Sequence, residues 1–468
     1  MTLRLQDTLS GETRPLEPLE PGHVRIYSCG PTVYGPTHIG NFRSFLFADL
    51  LVRYLRYQGL RVTWVMNITD IDDRIIERAN AAGETTAQLT DRWLDRFKTD
   101  FAAVRMTTPD VLPRATDYID AMAELIAQML ETGNAYRTED GSIFFRISSW
   151  PAYGRLSRLD ATQLRVGERV VADDYGKDDV RDFALWKGPK PGEPSWDTAV
   201  GPGRPGWHIE CSAMSMRHLG ASFDIHTGGI DLIFPHHEDE IAQSEAVTGQ
   251  TFVRTWLHCD HLRLGGTKMA RRVGNIARVA DLLEAGVSPR ALRYALISVN
   301  YRQALEYSEA SIEAATAAVS RLDALVAALE AYREDRADAG DLAAELDAAR
   351  ARFDAALDDD LNISAALASL FDLVRELNRR IADRSLSTAD ASRALTFLRN
   401  LDTVLGILPD AADELPAGAQ GLLDARSVAR AARDFAASDR LRDELAALGV
   451  SVEDTRDGQR WRRIEGAP

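Results

Sequence analysis

The chain has 468 residues, 45% of them hydrophobic and 27% charged, with a formal net charge of −16. That length suggests about three domains of ordinary globular composition, and the acidity excludes a wholly basic nucleic-acid surface while leaving room for a local basic groove. Three scattered cysteines, Cys29, Cys211 and Cys259, exclude a disulfide framework. With no signal-like stretch and no membrane-length apolar run, the expectation is a cytoplasmic protein.

In chain order, VRIYSC (24–29) reads as a strand ending at Gly30-Pro31. Apolar residues Phe45, Leu46, Leu50, Leu51, Tyr54 and Leu55 recur at helical spacing between Asn41 and Tyr57. LRVTWVMNI (60–68) is a second strand, so the N-terminal region has the strand–helix–strand form of a parallel α/β sheet. Residues 115–205 differ in texture, with DGSIFFRIS followed by a Pro/Gly-rich stretch, and read as an insertion with its own small fold. The chain returns to the sheet near Trp207, and FDIHTGG (223–229) is a later strand closed by a glycine turn. From 308 to 410 the sequence is Ala/Leu-rich and helical; a looser linker then leads to a basic helix and a short β-like tail.

Two groups of residues carry chemistry. In PHHEDE (235–240), His236 and Glu240 are four apart and share a face if the segment is helical; His237 and Glu240, three apart, are the second choice. With Cys29 and Cys211 they make a four-ligand set suited to zinc. Cys259, in LHCDH, is a rival ligand, and a lone buried cysteine is also an ordinary small hydrophobe. The second group is THIGN (37–41) with GGTKMARRVGN (265–275). His38 and Gly40 at a helix N-terminus suit a triphosphate, and Lys268, Arg271 and Arg272 supply mobile cations. Each segment alone reads equally as an ordinary turn or a solvated basic loop.

The runs CGPTVYGPTHIGNFRSFLFADLLVRYL, NITDIDDRII (67–76), GWHIECSAM (206–214) and FDIHTGGIDLIFPHHEDEIAQSEA (223–246) resemble those of cysteinyl-tRNA synthetases. So does the tail DFAASDRLRDELAALGV…WRR, and the blocks fall in family order across nearly the whole chain. The resemblance implies a class I enzyme with a Rossmann-type parallel-sheet core. Its halves would be 1–114 and 206–255, with a connective insertion at 115–205 and a KMSKS-like, stem-contact region at 256–307. A helical tRNA-binding bundle (308–410) and a small α+β anticodon-binding domain (411–468) would follow.

The implied activity is cysteine–tRNA ligation: ATP converts L-cysteine to cysteinyl-adenylate, which is transferred to the 3′ end of tRNA(Cys). A zinc ion would select the thiol, and Mg²⁺ would accompany ATP. The implied zinc ligands are Cys29, Cys211, His236 and Glu240. Thr37, His38, Gly40, Asn41, Lys268 and Arg271 would bind and act on ATP, while Thr69, Trp207 and Asp231 would line the amino-acid pocket, near His208, His226 and His237. Asp439, Arg442 and Asp454 would read anticodon bases, with Arg375, Arg379 and Arg380 among the cations of the bundle. The family's KMSKS loop departs to Lys268-Met269-Ala270-Arg271-Arg272, which keeps charge but not shape. The chain is expected to act as a monomer. A cysteine ligase with an amino-sugar acceptor and a non-catalytic RNA-binding paralogue are the alternative readings.

Overall fold

Near-continuous burial marks the first core strand. β1 (His23–Ser28) holds Val24, Ile26 and Tyr27 wholly out of solvent, as a parallel strand covered on both faces requires. α1 (Ile39–Tyr57) carries buried apolar side chains all round, among them Phe42, Leu46, Leu51 and Leu55, and is therefore an interior helix. It begins at Ile39 and not at Asn41, because the Ile39 N–H donates to the Ala277 carbonyl at 2.9 Å and holds the first turn in place. β2 (Arg61–Met66) lies parallel to β1, from His23↔Arg61 to Ser28↔Met66.

The structure is a computed structural model, describing residues 3–159, 181–269, 276–410, 418–455 and 458–463. After the inserted region come α2 (Trp207–Leu219), β3 (Phe223–Gly229), α3 (Glu238–Thr248) and β4 (Val253–Cys259). β3 pairs in parallel with β1, Ile225↔Ile26 to Thr227↔Ser28, and with β4 on its other side. The sheet order is therefore β4-β3-β1-β2. The chain leaves β1 for β2 on one side and later returns to β3 on the other. At such a reversal the connections beyond the carboxyl ends diverge and leave a crevice. Cys29 follows β1 directly and Gly229 ends β3, so both reach that crevice.

Residues 135–205 contribute a five-stranded antiparallel sheet, ordered Ala135–Arg137, Ile143–Phe145, Phe183–Lys187, Gly201–Pro205, Trp196–Thr198. Its fold is not independent of the core. Phe145, Phe183 and Trp186 belong to the same buried cluster as Ile209, Met214 and Phe223. Four long helices follow: Glu309–Ala331, Leu342–Asp358, Ile363–Ala382 and Thr388–Leu405.

The expected cations of this bundle are already paired. Arg375 meets Asp372, and Arg379 meets Glu376 and Asp383. Arg380 meets Asp341, Glu345 and Glu376 at 2.8, 2.9 and 3.0 Å.

The chain divides into two compact units, Met1–Ile407 and Leu408–Pro468. The second has helices Ala419–Ala431 and Phe435–Ala447, a hairpin of Val450–Thr455 with Gly458–Arg463, and a small core of Ala419, Leu423, Leu445 and Val450. Among the described residues no helix is long and apolar enough to cross a membrane.

Candidate metal and nucleotide site

Three elements deliver buried donors to one point. Cys29 comes from the end of β1, Cys211 from the second turn of α2, and His236 and Glu240 from either side of the start of α3. Sγ of Cys29 is 3.9 Å from Sγ of Cys211 and 3.9 Å from Glu240 Oε1, which is 3.1 Å from His236 Nε2. All four donor atoms lie within 4.8 Å of one another. Two sulfurs bound tetrahedrally at about 2.3 Å would be about 3.8 Å apart, so the donor set fits one zinc-sized ion.

The helical-spacing argument holds only in part. α3 begins at Glu238, and His236 lies in a preceding π-type turn, Ile233–His237, yet its ring still reaches Glu240.

A second group, Cys29, His226, His237 and Glu240, meets the same distance limit. His237 Nε2 is 3.3 Å from Cys29 Sγ, and His226 Nε2 is 2.9 Å from Glu240 Oε2. The first group offers two sulfurs, the stronger attraction for a thiophilic dication. Cys259 belongs to neither group; its Sγ faces the backbone oxygens of Asp260 and Arg43 at 3.6 and 4.0 Å.

Burial pushes the Cys29 and Cys211 thiols and the Glu240 carboxyl up, and the His236 and His237 imidazoles well down. Every shift favours the neutral form. A bound dication would reverse the balance for the thiols and the carboxyl, since it stabilises the deprotonated ligands that burial disfavours.

The two nucleotide-type segments adjoin. His38 sits in extended backbone (φ −99°, ψ 162°) ahead of α1 and bridges Arg278, while Met269 lies 3.8 Å from where a Cβ on Gly40 would stand. Both flanks of the loop that begins at Lys268 thus touch the 37–41 turn. A Cβ on Gly40 would also come within 2.9 Å of His38 Nδ1, so glycine is needed for the imidazole that lies across it. Thr37 is buried and Asn41 exposed. Arg271, with Ala270 and Arg272, falls outside the described residues.

Of the expected pocket residues, Trp207 opens α2, is 37% exposed, and stacks on His236 with centroids 4.3 Å apart. Thr69 Oγ1 donates to Glu210 Oε2 at 2.8 Å, one residue before Cys211. Asp231 Oδ2 is 3.0 Å from Lys268 Nζ. Burial would raise the Asp231 carboxyl, but Lys268 outweighs it and holds the group low.

In the C-terminal unit, Asp439 pairs with Arg442 at 3.3 Å, and Asp454 with Arg426 and Arg430 at 3.0 Å each. The sequence reading passes over Glu238 and Asp239. Glu238 accepts backbone N–H groups of Gly154, Leu156 and Ser157 at 2.9, 3.0 and 2.8 Å, and Asp239 accepts the Tyr153 hydroxyl. Three successive acids at the head of a helix were the available signal.

A parallel sheet with a switch-point crevice, joined there by a histidine–glycine turn and a lysine loop, defines a class I aminoacyl-tRNA synthetase core. The family described as tRNA synthetases class I (C) catalytic domain matches residues 15–317. The fold is shared with the Mycobacterium tuberculosis methionyl-tRNA synthetase solved with methionyl-adenylate: TM-score 0.59, 18% identity, covering 89% of this chain and 96% of that one. A DALR domain matches 352–409, and a cysteinyl-tRNA ligase anticodon binding domain matches 412–462. The cysteine–tRNA ligase of Symbiobacterium thermophilum is 47% identical over 99% of this chain and all of its own, and that of Pseudomonas putida is 45% identical over 98% and 99%. The chain belongs to the cysteinyl-tRNA synthetase family.

Proposed function

We infer that this chain is an ATP-dependent ligase that joins cysteine to the 3′ end of tRNA(Cys), working in the cytoplasm. The observation that carries the reading is the buried gathering of Cys29, Cys211, His236 and Glu240 at the sheet's switch point. These four residues would hold zinc. The ion supplies a Lewis acid that prefers sulfur to oxygen, which is how a one-atom difference from serine becomes discrimination without editing.

Around it the chain's own residues position the reactants. Asp231 takes the substrate ammonium, exchanging it for Lys268 Nζ, and Trp207 covers the small side chain. Thr69 backs the pocket through its bond to Glu210. The cysteine carboxylate attacks the α-phosphate of ATP, and pyrophosphate leaves. Thr37, His38, Gly40 and Asn41 at the head of α1 seat the phosphates, with Lys268 and Arg271 stabilising the charge that develops, and Mg²⁺ accompanies the nucleotide. A ribose hydroxyl of the tRNA then attacks the adenylate. Asp439, Arg442 and Asp454 read the anticodon; Asp454 would do so while paired to Arg426. The chain would act as a monomer built of the six segments 1–114, 115–205, 206–255, 256–307, 308–410 and 411–468.

Metal analysis of the purified wild type and Cys211→Ser, alongside cysteine-dependent ATP–pyrophosphate exchange, tests the reading. Zinc and preference for cysteine over serine should be lost together in the variant. Retention of both would overturn the ligand set.

A further inference from the structure

Asn67 directly follows β2 and touches none of the four metal-type donors by a hydrogen bond, yet it lies between the two cysteine arms. Its Oδ1 accepts the Gly30 N–H at 2.9 Å, one residue after Cys29. Its Nδ2 donates to Thr69 Oγ1 at 3.2 Å, and Thr69 Oγ1 donates to Glu210 Oε2 at 2.8 Å, one residue before Cys211. Asn67, Thr69 and Glu210 are all buried, so these groups depend on one another for their hydrogen bonds.

The direction of this path follows from its first member. A backbone N–H can only donate, so Asn67 turns its oxygen to Gly30 and its NH₂ the other way. Thr69 Oγ1 accepts from that NH₂ and has its own proton left for Glu210. The side chains thus close a path from Cys29 to Cys211, whose sulfurs stand 3.9 Å apart across 182 residues of chain. The fit at the Cys29 end is close: a Cβ on Gly30 would come within 1.7 Å of the Asn67 carbonyl oxygen. Backbone bonds dock residue 69 on that arm, Thr69 N–H to the Pro31 carbonyl and Val33 N–H to the Thr69 carbonyl, at 3.1 Å each. The step from there to Glu210 is made by side chains. We propose that Asn67 is a positioning residue: through Gly30 on one side, and Thr69 and Glu210 on the other, it holds the two cysteine arms at the spacing one ion needs. Setting that spacing in advance lowers the ordering cost of binding.

The inference rests on the zinc reading above, and its test separates the two. Zinc affinity is measured by competition with a chromophoric chelator, and folding by the thermal midpoint of metal-free protein. Asn67→Ala and Thr69→Val should each weaken zinc binding about tenfold, the lower end of the usual cost of losing a partner that supports metal ligands. Both changes leave the backbone bonds between 31–33 and 69 in place, so the metal-free proteins should fold. Thr69→Ser should stay near wild type, because its hydroxyl still accepts from Asn67 and donates to Glu210. In the Thr69→Val background, Asn67→Ala should add little, since either change breaks the same path.

Wild-type affinity in Asn67→Ala, a loss in Thr69→Ser equal to that in Thr69→Val, or additive losses in the double variant would each overturn the proposal. Should Asn67→Ala fail to fold, the Thr69 pair decides: Thr69→Val at wild-type affinity, or Thr69→Ser as weak as Thr69→Val, overturns it equally. Wild-type protein that binds no zinc would instead overturn the parent reading.

Discussion

Lys268 and Asp231 show how one contact ties two ligand sites together. The lysine opens the nucleotide loop, yet its ammonium rests on the carboxylate that the family resemblance assigns to the substrate's own ammonium. Cysteine would replace one cation with another of the same kind, so the carboxylate keeps a charged partner before and after binding. A hydrogen bond to a charged group is worth about 1.5–3 kcal/mol. Asp231→Asn should therefore raise the KM for cysteine by about 10–100-fold in pyrophosphate exchange, with a smaller effect on that for ATP. An unchanged cysteine KM would remove Asp231 from the pocket. At this scale the sequence names residues but not their partners: Asp231 and Lys268 are each conspicuous in a motif, and nothing local brings them together.

At the scale of elements, α1 is anchored far from the crevice by a buried ion pair. Arg293, in the helix Pro289–Ile297, meets Asp49 of α1 at 2.7 Å with both side chains at 0% exposure. It also donates to the carbonyls of Leu405, Val104 and Arg105 at 2.6, 3.2 and 3.1 Å. Three segments thus share one guanidinium. Asp49 also holds Arg53 Nε at 2.9 Å and accepts the Thr107 N–H at 2.7 Å, so removing Arg293 loses a charge-assisted hydrogen bond without stranding the carboxylate, a loss of about 1.5–3 kcal/mol. Arg293→Met should lower the unfolding free energy of the larger unit by that order in urea titration, and a loss under about 1 kcal/mol would show that Arg53 and the Thr107 N–H hold Asp49 unaided. The periodicity of α1 was legible in its sequence; its anchor was not, since Asp49 and Arg293 are 244 residues apart.

Across the whole molecule, two units rest on separate cores of very different size. The smaller has few buried apolar residues, so its ion pairs weigh more. Hydrogen bonding from Arg426 holds the Asp454 carboxyl below the usual range, with help from the Arg430 and Arg442 charges. A depressed carboxyl stabilises the folded state fully above its unfolded pKa of about 3.9, and that contribution is lost as pH falls through the lower folded value. Asp454→Asn should therefore lower the melting midpoint of the 408–468 unit at about pH 7, and the gap from wild type should close below about pH 4. A gap independent of pH would show that the pair adds no charge-dependent stability.

By itself the sequence determined the strand–helix–strand opening, the β3 strand at 223–229, the helical texture beyond 308 and the family, because periodicity and motif order are properties of neighbouring residues. Only the tertiary structure decided that Cys29 and Cys211 meet while Cys259 does not. It alone decided that His236 reaches Glu240 from outside the helix, that Gly40 makes room for His38, and that the bundle arginines are spent on nearby carboxylates. Asp239 drew no notice as a letter among acids. The meeting of the two cysteines depends on which distant segments the sheet order β4-β3-β1-β2 brings to its carboxyl edge, and the closest approach of side chains 182 residues apart is not encoded in any local pattern.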